Sequence, residues 1–198
     1  GRLMMTGGNA SGDDAWRGSL NLTTNQGYQD HAHYDRQTGN FRWDRAVGGD
    51  AMLKTIFSFS QVDQNHVGSL TKSQFDDDSA RKTNNIAFSY RKVDAFRLST
   101  SYEKEVGNSL ISITPYLRDN SMDIIPSWMV SYDPVQYTTK NQSFGFLSKY
   151  RQDFEPMRAR LIVGLDFDIS PGSRDEDSIR VTSTGNNITG RTYNYNKG

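Results

Sequence analysis

Apolar and polar side chains alternate along residues 157–169, with a period of two. One face carries Ala159, Leu161, Val163, Leu165, Phe167 and Ile169. The other face carries Arg158, Arg160, Ile162, Gly164, Asp166 and Asp168. Because successive side chains of a strand point to opposite sides, this pattern predicts a β-strand with one apolar and one hydrated face. The segment is also long enough to cross a bilayer as a tilted strand, which needs about 9–11 residues.

The rest of the chain shows weaker alternation of the same kind, separated by turn residues. It predicts strands over residues 2–5, 16–25, 40–47, 51–62, 94–103, 109–120 and 142–151. The connections predicted between strands are alternately short, as at 48–50, 106–108 and 153–156, and long, as at 27–36, 63–93 and 121–137. Pro115 has no backbone N–H and predicts a bulge or a local interruption of pairing. Residues 6–14 are predicted as a turn, and residues 173–198, after Ser170-Pro171-Gly172, as a polar loop.

This order of elements predicts an all-β fold, an antiparallel up-and-down meander without a helix longer than a turn. Outer-membrane barrels combine short periplasmic turns, long extracellular loops and strands that alternate apolar-out and polar-in. A soluble β-sandwich alternates too, but nothing requires its long loops to share one end. The charged polar faces, with Arg97 and Glu103 on one strand, suit a hydrated lumen. Two alternatives stay open: a complete barrel of about eight strands that serves as an anchor or adhesin, and a soluble β-sandwich that serves as a binding module.

Composition removes several classes of function. The chain has 198 residues with 23 basic and 23 acidic side chains, so bulk charge offers no argument for binding nucleic acid. It has no cysteine, which excludes disulfides and thiolate chemistry. No apolar run is long enough for a transmembrane helix, which takes about 18 residues or more. The chain begins with Gly1 rather than Met, and we expect it to be a piece of a longer protein.

Several stretches resemble the barrel domain of TonB-dependent outer-membrane receptors. They are residues 27–30 with 34–37, residues 90–99, residues 112–120, residues 143–146, and residues 161–166 with 170–172. The similarity spans most of the chain and consists of short, loosely similar strand segments rather than an invariant sequence motif.

This resemblance implies that residues 1–198 form a single partial domain of a large transmembrane β-barrel. Such receptors sit in the outer membrane of Gram-negative bacteria, among membrane lipid and lipopolysaccharide. They import a scarce small-molecule nutrient, typically a ferric siderophore or cobalamin, with energy relayed by TonB through an N-terminal plug. The plug and the remaining strands would lie outside this chain. The implied chemistry is binding and gating, without a cofactor.

Aromatic and imidazole side chains in the long connections are candidates for ligand binding, because aromatic rings offer a broad apolar surface, and Tyr and Trp a polar tip as well. The candidate ligand-binding residues are Tyr28, His31, His33, Tyr34, Trp128 and Tyr132. His31 and His33 would share a face of an extended segment and could bind a metal. No third ligand is identifiable, so the sequence predicts no metal site.

Catalytic motifs are not found in the sequence. It contains no Gly-x-Ser-x-Gly elbow, no phosphate-binding loop and no His-Glu-x-x-His. Asp166 and Asp168 could in principle act as a pair of catalytic carboxylates. We interpret them instead as polar-face charges that lie opposite Arg158 and Arg160, and we expect a protein that is not an enzyme. The run Asp76-Asp77-Asp78 is typical of a solvated acidic loop.

Overall fold

The computed structural model of the chain describes the backbone of residues 1–182 and 185–197 and the side chains of residues 1–180. The described residues form a single antiparallel sheet, which confirms the predicted all-β meander. Its strands are β1 Arg2–Ser11, β2 Asp14–Asn25, β3 Tyr34–Gly48, β4 Ala51–Asn65, β5 Tyr90–Val106, β6 Ser109–Ile124, β7 Val135–Phe154, β8 Ala159–Ile169, β9 Gly172–Thr182 and β10 Gly185–Lys197. One short helix, α1 Lys72–Asp76, lies between β4 and β5, and a 3-10 turn, Glu155–Met157, joins β7 to β8.

From β1 to β8, short and long connections lie at opposite ends of the sheet, as the sequence predicts. The turn end carries residues 12–13, 49–50, 107–108 and 155–158, and the loop end carries residues 26–33, 66–89 and 125–134. Gly49 and Asp50 adopt φ values of 58° and 57°. Positive φ at both central residues is the geometry of a two-residue type I′ hairpin, whose twist matches that of the flanking strands.

β8 and β9 together form one interrupted strand beside β7, which corrects the predicted loop after Ser170. β8 pairs with the second half of β7 and β9 with its first half, and the register is the same in both. Pro171 cannot donate a hydrogen bond, but its carbonyl accepts one from the N–H of Gln142 at 3.0 Å. The proline therefore interrupts the ladder without ending the strand, and β10 returns antiparallel to β9.

β1 is also longer than predicted, because residues 6–11 pair with β2 instead of turning. Asn9 lies opposite Trp16, and Gly7 lies opposite Gly18. A β-carbon on Gly8 would lie 2.7 Å from the carbonyl oxygen of Trp16, so glycine serves a close approach of two strands there. The pairing of β5 with β6 skips the positions around Pro115, which confirms the predicted interruption.

Paired residues share a face, and the register sorts the side chains of the sheet into an apolar face and a polar face. The apolar face carries Leu3, Met5, Trp16, Leu20, Phe41, Trp43, Phe57, Phe59, Phe96, Leu98, Ile111, Ile113, Leu117, Phe144, Phe146, Leu161, Val163, Leu165, Phe167 and Ile169. The polar face carries Arg42, Asp44, Lys54, Arg97, Glu103, Arg118, Arg151, Asp153, Arg160, Asp166 and Asp168. The alternation predicted for β8 is therefore confirmed.

The strands cross this apolar band obliquely. Met5, Phe59 and Phe96 lie in one row of paired residues that runs across the sheet. On β6 and β7 the same row is occupied by the polar residues Asp119 and Gln142, so the apolar band on these strands lies closer to the turn end. Between β2 and β8 the apolar band shifts by about five residues along the strands. With strands ~4.8 Å apart and a rise of ~3.3 Å per residue, this shift corresponds to a tilt of roughly 30°. Along β8 the band is then roughly 25–30 Å tall, close to the apolar band of membrane barrels.

Fully buried side chains are few, and most of them lie at the loop end. Ile124, Ile125, Pro126, Val135 and Ile179 are buried there around the strand ends and the 125–134 connection. Along the described part of the sheet, by contrast, most large apolar side chains are partly or largely exposed. The sheet has no partner layer in the described residues, and its order runs as an open path from β1 to β10.

No helix among the described residues is long and apolar enough to cross a membrane.

Gly145 on β7 is a position where the sheet has no room for a side chain. A β-carbon there would overlap the carbonyl oxygen of Phe167 and lie 2.7 Å from the hydroxyl of Tyr116. We expect Gly145→Ala to lower the free energy of unfolding by about 1–3 kcal/mol, because overpacking forces backbone shifts. The measurement is urea unfolding of the full-length protein in detergent micelles. Gly7→Ala, with open space around its added carbon, should change little; equal effects of the two substitutions would contradict the close approach.

Candidate functional site

A buried serine fastens the long 66–89 connection to the 125–134 connection. Ser89 is fully buried, and its hydroxyl donates to the carbonyl of Ile125 at 2.6 Å. Nδ1 of His66 lies 2.9 Å from the same hydroxyl oxygen. Since the hydroxyl proton is used on Ile125, His66 must donate through Nδ1–H. Backbone bonds from the N–H of His66 to Ser89 and from the N–H of Ile125 to Tyr90 complete this anchor.

The anchor is predicted to weaken at acidic pH. Burial, and next the positive charge of Arg91, hold the pKa of His66 below its usual value of about 6.5. A histidine with a lowered pKa adds stability that is complete above the unfolded-state pKa and is lost as the pH falls through the folded-state pKa. Hydrogen exchange of the Ile125 amide should therefore accelerate as the pH falls below about 6.5, after correction for the intrinsic exchange rate.

The control for this prediction is His31, a histidine that lies outside this anchor. His66→Gln should remove most of the pH dependence of protection, and His31→Gln should leave it intact. A pH dependence that survives in His66→Gln would assign the titration to another group.

Helix α1 shapes the middle of the 66–89 connection. Thr71 is its N-cap: its side chain accepts from the N–H of Gln74, and the side chain of Gln74 accepts from the N–H of Thr71 at 2.9 Å. This reciprocal capping box satisfies two backbone donors that the helix leaves unpaired. The helix presents Phe75, which is largely exposed, and Arg81 lies over its ring at 5.3 Å from the centroid.

A cavity of about 980 Å³ lies between α1 and the loop ends of β3 and β4. Tyr34 and Gln64, opposite each other on the polar face, form part of its wall. The 26–33 connection contributes Tyr28 and Gln29, and the amide of Gln29 donates to the carbonyl of Thr83 at 3.0 Å. Cavities of 300–1,000 Å³ with a mostly apolar lining and a few polar groups are typical of small-molecule sites.

The cavity brings together two of the six predicted ligand-binding residues. Tyr28 and Tyr34 both line it, whereas Trp128 and Tyr132 lie in the 125–134 connection, exposed and outside this lining. Nε2 of His33 lies 3.5 Å from Asp63 at the loop end of the apolar face, where Lys92 also approaches that carboxylate.

His31 does not share a face with His33 in the way an extended segment would require. It has a φ of 53°, so the backbone bends at this position. Among the described residues, no group of three His, Asp or Glu side chains is arranged to hold a metal ion.

The sequence pattern missed the part of this cavity that belongs to the 66–89 connection. These lining residues are Val67, Leu70, Lys72, Phe75 and Arg81. A signal for them was present, since Thr71 followed three residues later by Gln74 matches a capping box. That match predicts a helix start and places Phe75 in the first turn of the helix.

The polar face of the sheet carries a network of ion pairs. Asp168 accepts from Arg118 at 2.7 Å and also from Tyr116 and Ser170. Toward the turn end, Arg160 pairs with Asp153. The interpretation of Asp168 as a charge held by arginine is therefore correct in kind, although its partner is Arg118 rather than Arg158 or Arg160.

Several solved structures are similar to this chain, among them siderophore receptors and a ferric citrate transporter. FpvA of P. aeruginosa, in complex with a heterologous ferric pyoverdine, superposes with a TM-score of 0.78 at 13% identity, over 98% of this chain and 31% of that chain. The unliganded ferric citrate transporter FecA gives a TM-score of 0.74 at 12% identity, over 98% and 29%. The siderophore receptor PiuA from Acinetobacter baumannii gives 0.56 at 11% identity, over 97% and 31%.

These comparisons show that the chain has the fold of the β-barrel of TonB-dependent receptors, which the sequence resemblance predicted. The chain spans about a third of the length of these structures. No protein-family model matches the chain, and no curated protein matches it in sequence.

Proposed function

We propose that this chain is a segment of the barrel wall of an outer-membrane TonB-dependent receptor that takes up a scarce nutrient such as a ferric siderophore. The fold is that of such barrels. Three structural neighbours are named as receptors or transporters of ferripyoverdine, ferric citrate and a siderophore. Whole-protein partners follow from the same proposal: lipid and lipopolysaccharide on the apolar face, and TonB through a plug in the lumen.

The observation that carries this proposal is the exposure of the apolar face of the sheet. On the central strand β6, Ile111 and Leu117 of that face are 48% and 52% exposed. On β8, Val163 of the apolar face is 55% exposed and Ile162 of the polar face is 57% exposed. A soluble sandwich would bury its apolar face against a second sheet about 10 Å away. A tilted apolar band of membrane height, opposite a charged face, fits a wall between lipid and a hydrated lumen.

The proposed ligand site lies at the loop end, on the side of the sheet that the lumen would occupy. The cavity that contains Tyr28 and Tyr34 is its best-defined part. His31, Trp128 and Tyr132 are proposed to contribute from neighbouring connections, whereas His33 pairs with Asp63 on the apolar side of the sheet, away from this cavity. Ligand binding by these loops would be coupled to the plug, and the described residues supply binding groups rather than catalytic ones.

The complete small barrel is less well supported than a segment of a large one. It needs its first and last strands to pair, and the described strand order ends openly at β1 and β10. Open edges with unpaired N–H and C=O groups are templates for association, so a closed barrel requires further strands at both sides.

Spin labels in the full-length protein, reconstituted in lipid vesicles, test this proposal. Labels at Leu161, Val163 and Leu165 should collide readily with oxygen. Labels at Arg160 and Asp166 should instead collide with a water-soluble nickel chelate. If the labels at the first three positions were shielded from both reagents, the apolar face would pack on protein. That result would contradict the proposed transport function.

A further inference from the structure

The cations of the loop-end cavity are all neutralised by carboxylates nearby. Nζ of Lys72 lies 2.7 Å from Asp76, and the guanidinium of Arg81 lies 2.8 Å from Asp78. Arg81 also donates through Nε to the carbonyl of Phe75 at 2.7 Å. Among the described residues no carboxylate lines the cavity itself, but Asp76 and Asp78 lie beside its two cations and offset their charge.

A third carboxylate strengthens this balance. Hydrogen bonds from the hydroxyl and N–H of Ser79 hold the pKa of Asp77 below its usual value, so Asp77 stays ionised at neutral pH. A compact polyanion that enters here would meet Lys72 and Arg81, each already paired with a carboxylate, with Asp77 close to Arg81. Such a ligand gains affinity only where the potentials are complementary.

What the cavity does offer is exposed ring and aliphatic surface. Tyr28 is 61% exposed and Phe75 is 59% exposed, and the side chain of Val67 is exposed beside them. Clustered apolar surface of this kind, rimmed by polar groups, marks a binding site. Flat rings pack against it in offset-stacked or edge-to-face geometry.

We propose that this cavity receives the planar aromatic part of a ferric complex with little net charge, and discriminates against compact polycarboxylate complexes of iron. This inference rests on the proposed function and names the substrate class for its site. It separates this chain from a receptor for ferric citrate, the cargo named for the transporter FecA, although the two share a fold.

Two neutral iron complexes that differ only in a ring provide the test. Tris(benzohydroxamato)iron(III) carries phenyl groups and tris(acetohydroxamato)iron(III) carries methyl groups, and both are uncharged; ferric citrate supplies the polyanion. Binding to the full-length protein in detergent would be measured by isothermal titration calorimetry. We expect the phenyl complex to bind about tenfold more tightly than the methyl complex, from ring stacking and added apolar burial.

Substitutions in the cavity identify where the preference arises. Phe75→Ser should bring the two neutral complexes to similar affinity, and Tyr28→Ser should lower the preference in the same direction. Phe154→Ser, at the turn end, is the matched control and should leave the preference unchanged. Circular dichroism of each variant would confirm that the barrel is folded.

Several outcomes would overturn the inference. These are equal binding of the two neutral complexes, a ring preference that survives in both Phe75→Ser and Tyr28→Ser, tighter binding of ferric citrate than of either, or no binding of the three at millimolar concentration. None of these outcomes bears on the spin-label test, which does not involve the cavity. Failure of the lipid-facing labels would instead remove the proposed function and this inference together.

Discussion

Arginine in place of Val163 is expected to prevent most of the full-length protein from assembling in a bilayer. Val163 lies near the middle of the apolar band on β8, and its side chain is exposed on the proposed lipid face. Arginine at the midplane of a barrel's lipid face costs about 2–4 kcal/mol. The folded fraction, read from the shift in gel mobility between unheated and heated samples, should fall several-fold.

Ile162 gives a matched control one residue away. It is equally exposed and similarly apolar, but it lies on the polar face, opposite Arg151. Ile162→Arg places the new charge toward a hydrated lumen, so assembly should stay near the level of the unsubstituted protein. Similar losses in the two variants would mean that the faces of β8 do not meet different solvents, and would count against a barrel wall.

Alanine in place of Ile125 is expected to loosen the whole loop end. Ile125 is 1% exposed and lies between Ile124 and Pro126 in the buried cluster there. Removing three carbons from such a site leaves a cavity and costs about 2–5 kcal/mol. Protection of the His66 and Ile125 amides against hydrogen exchange should fall accordingly, while protection in the middle of β5 and β6 should persist.

Ile56 is the control for this substitution. It is an exposed isoleucine on the polar face of β4, so Ile56→Ala creates no enclosed cavity. Its effect on amide protection should be a small fraction of that of Ile125→Ala. If Ile125→Ala left the loop-end amides as protected as before, the buried cluster would not be what holds these connections.

A strand whose two faces meet different surroundings can be recognised from its sequence, because apolar and polar residues alternate along it. β8 is the clearest case, because its six apolar positions recur at every second residue and three of the five positions between them are charged. β9 and β10 could not be predicted in the same way. Both strands lie beyond the level of the apolar band, and their sequences show no alternation of apolar and polar residues.

The candidate site shows the same division. Tyr28 and Tyr34 could be proposed as ligand-binding residues from the sequence, because aromatic side chains in a long connection between two strands are candidates for ligand contact. Phe75 and Arg81 could not be placed in the cavity from the sequence, since their position beside those tyrosines depends on how a connection of more than twenty residues folds back. The buried hydroxyl of Ser89, which holds that connection, has no signature in the sequence.

The sequence by itself determined the all-β meander, the separation of turns from loops and the two-sided character of β8, because a period of two and turn chemistry are local properties. Only the tertiary structure decided the register that aligns the apolar band obliquely across the strands, the continuation past Pro171, and the closure of the cavity by α1. These depend on contacts between residues far apart in the chain. Such contacts form by complementary shape and hydrogen bonding, which no local pattern encodes.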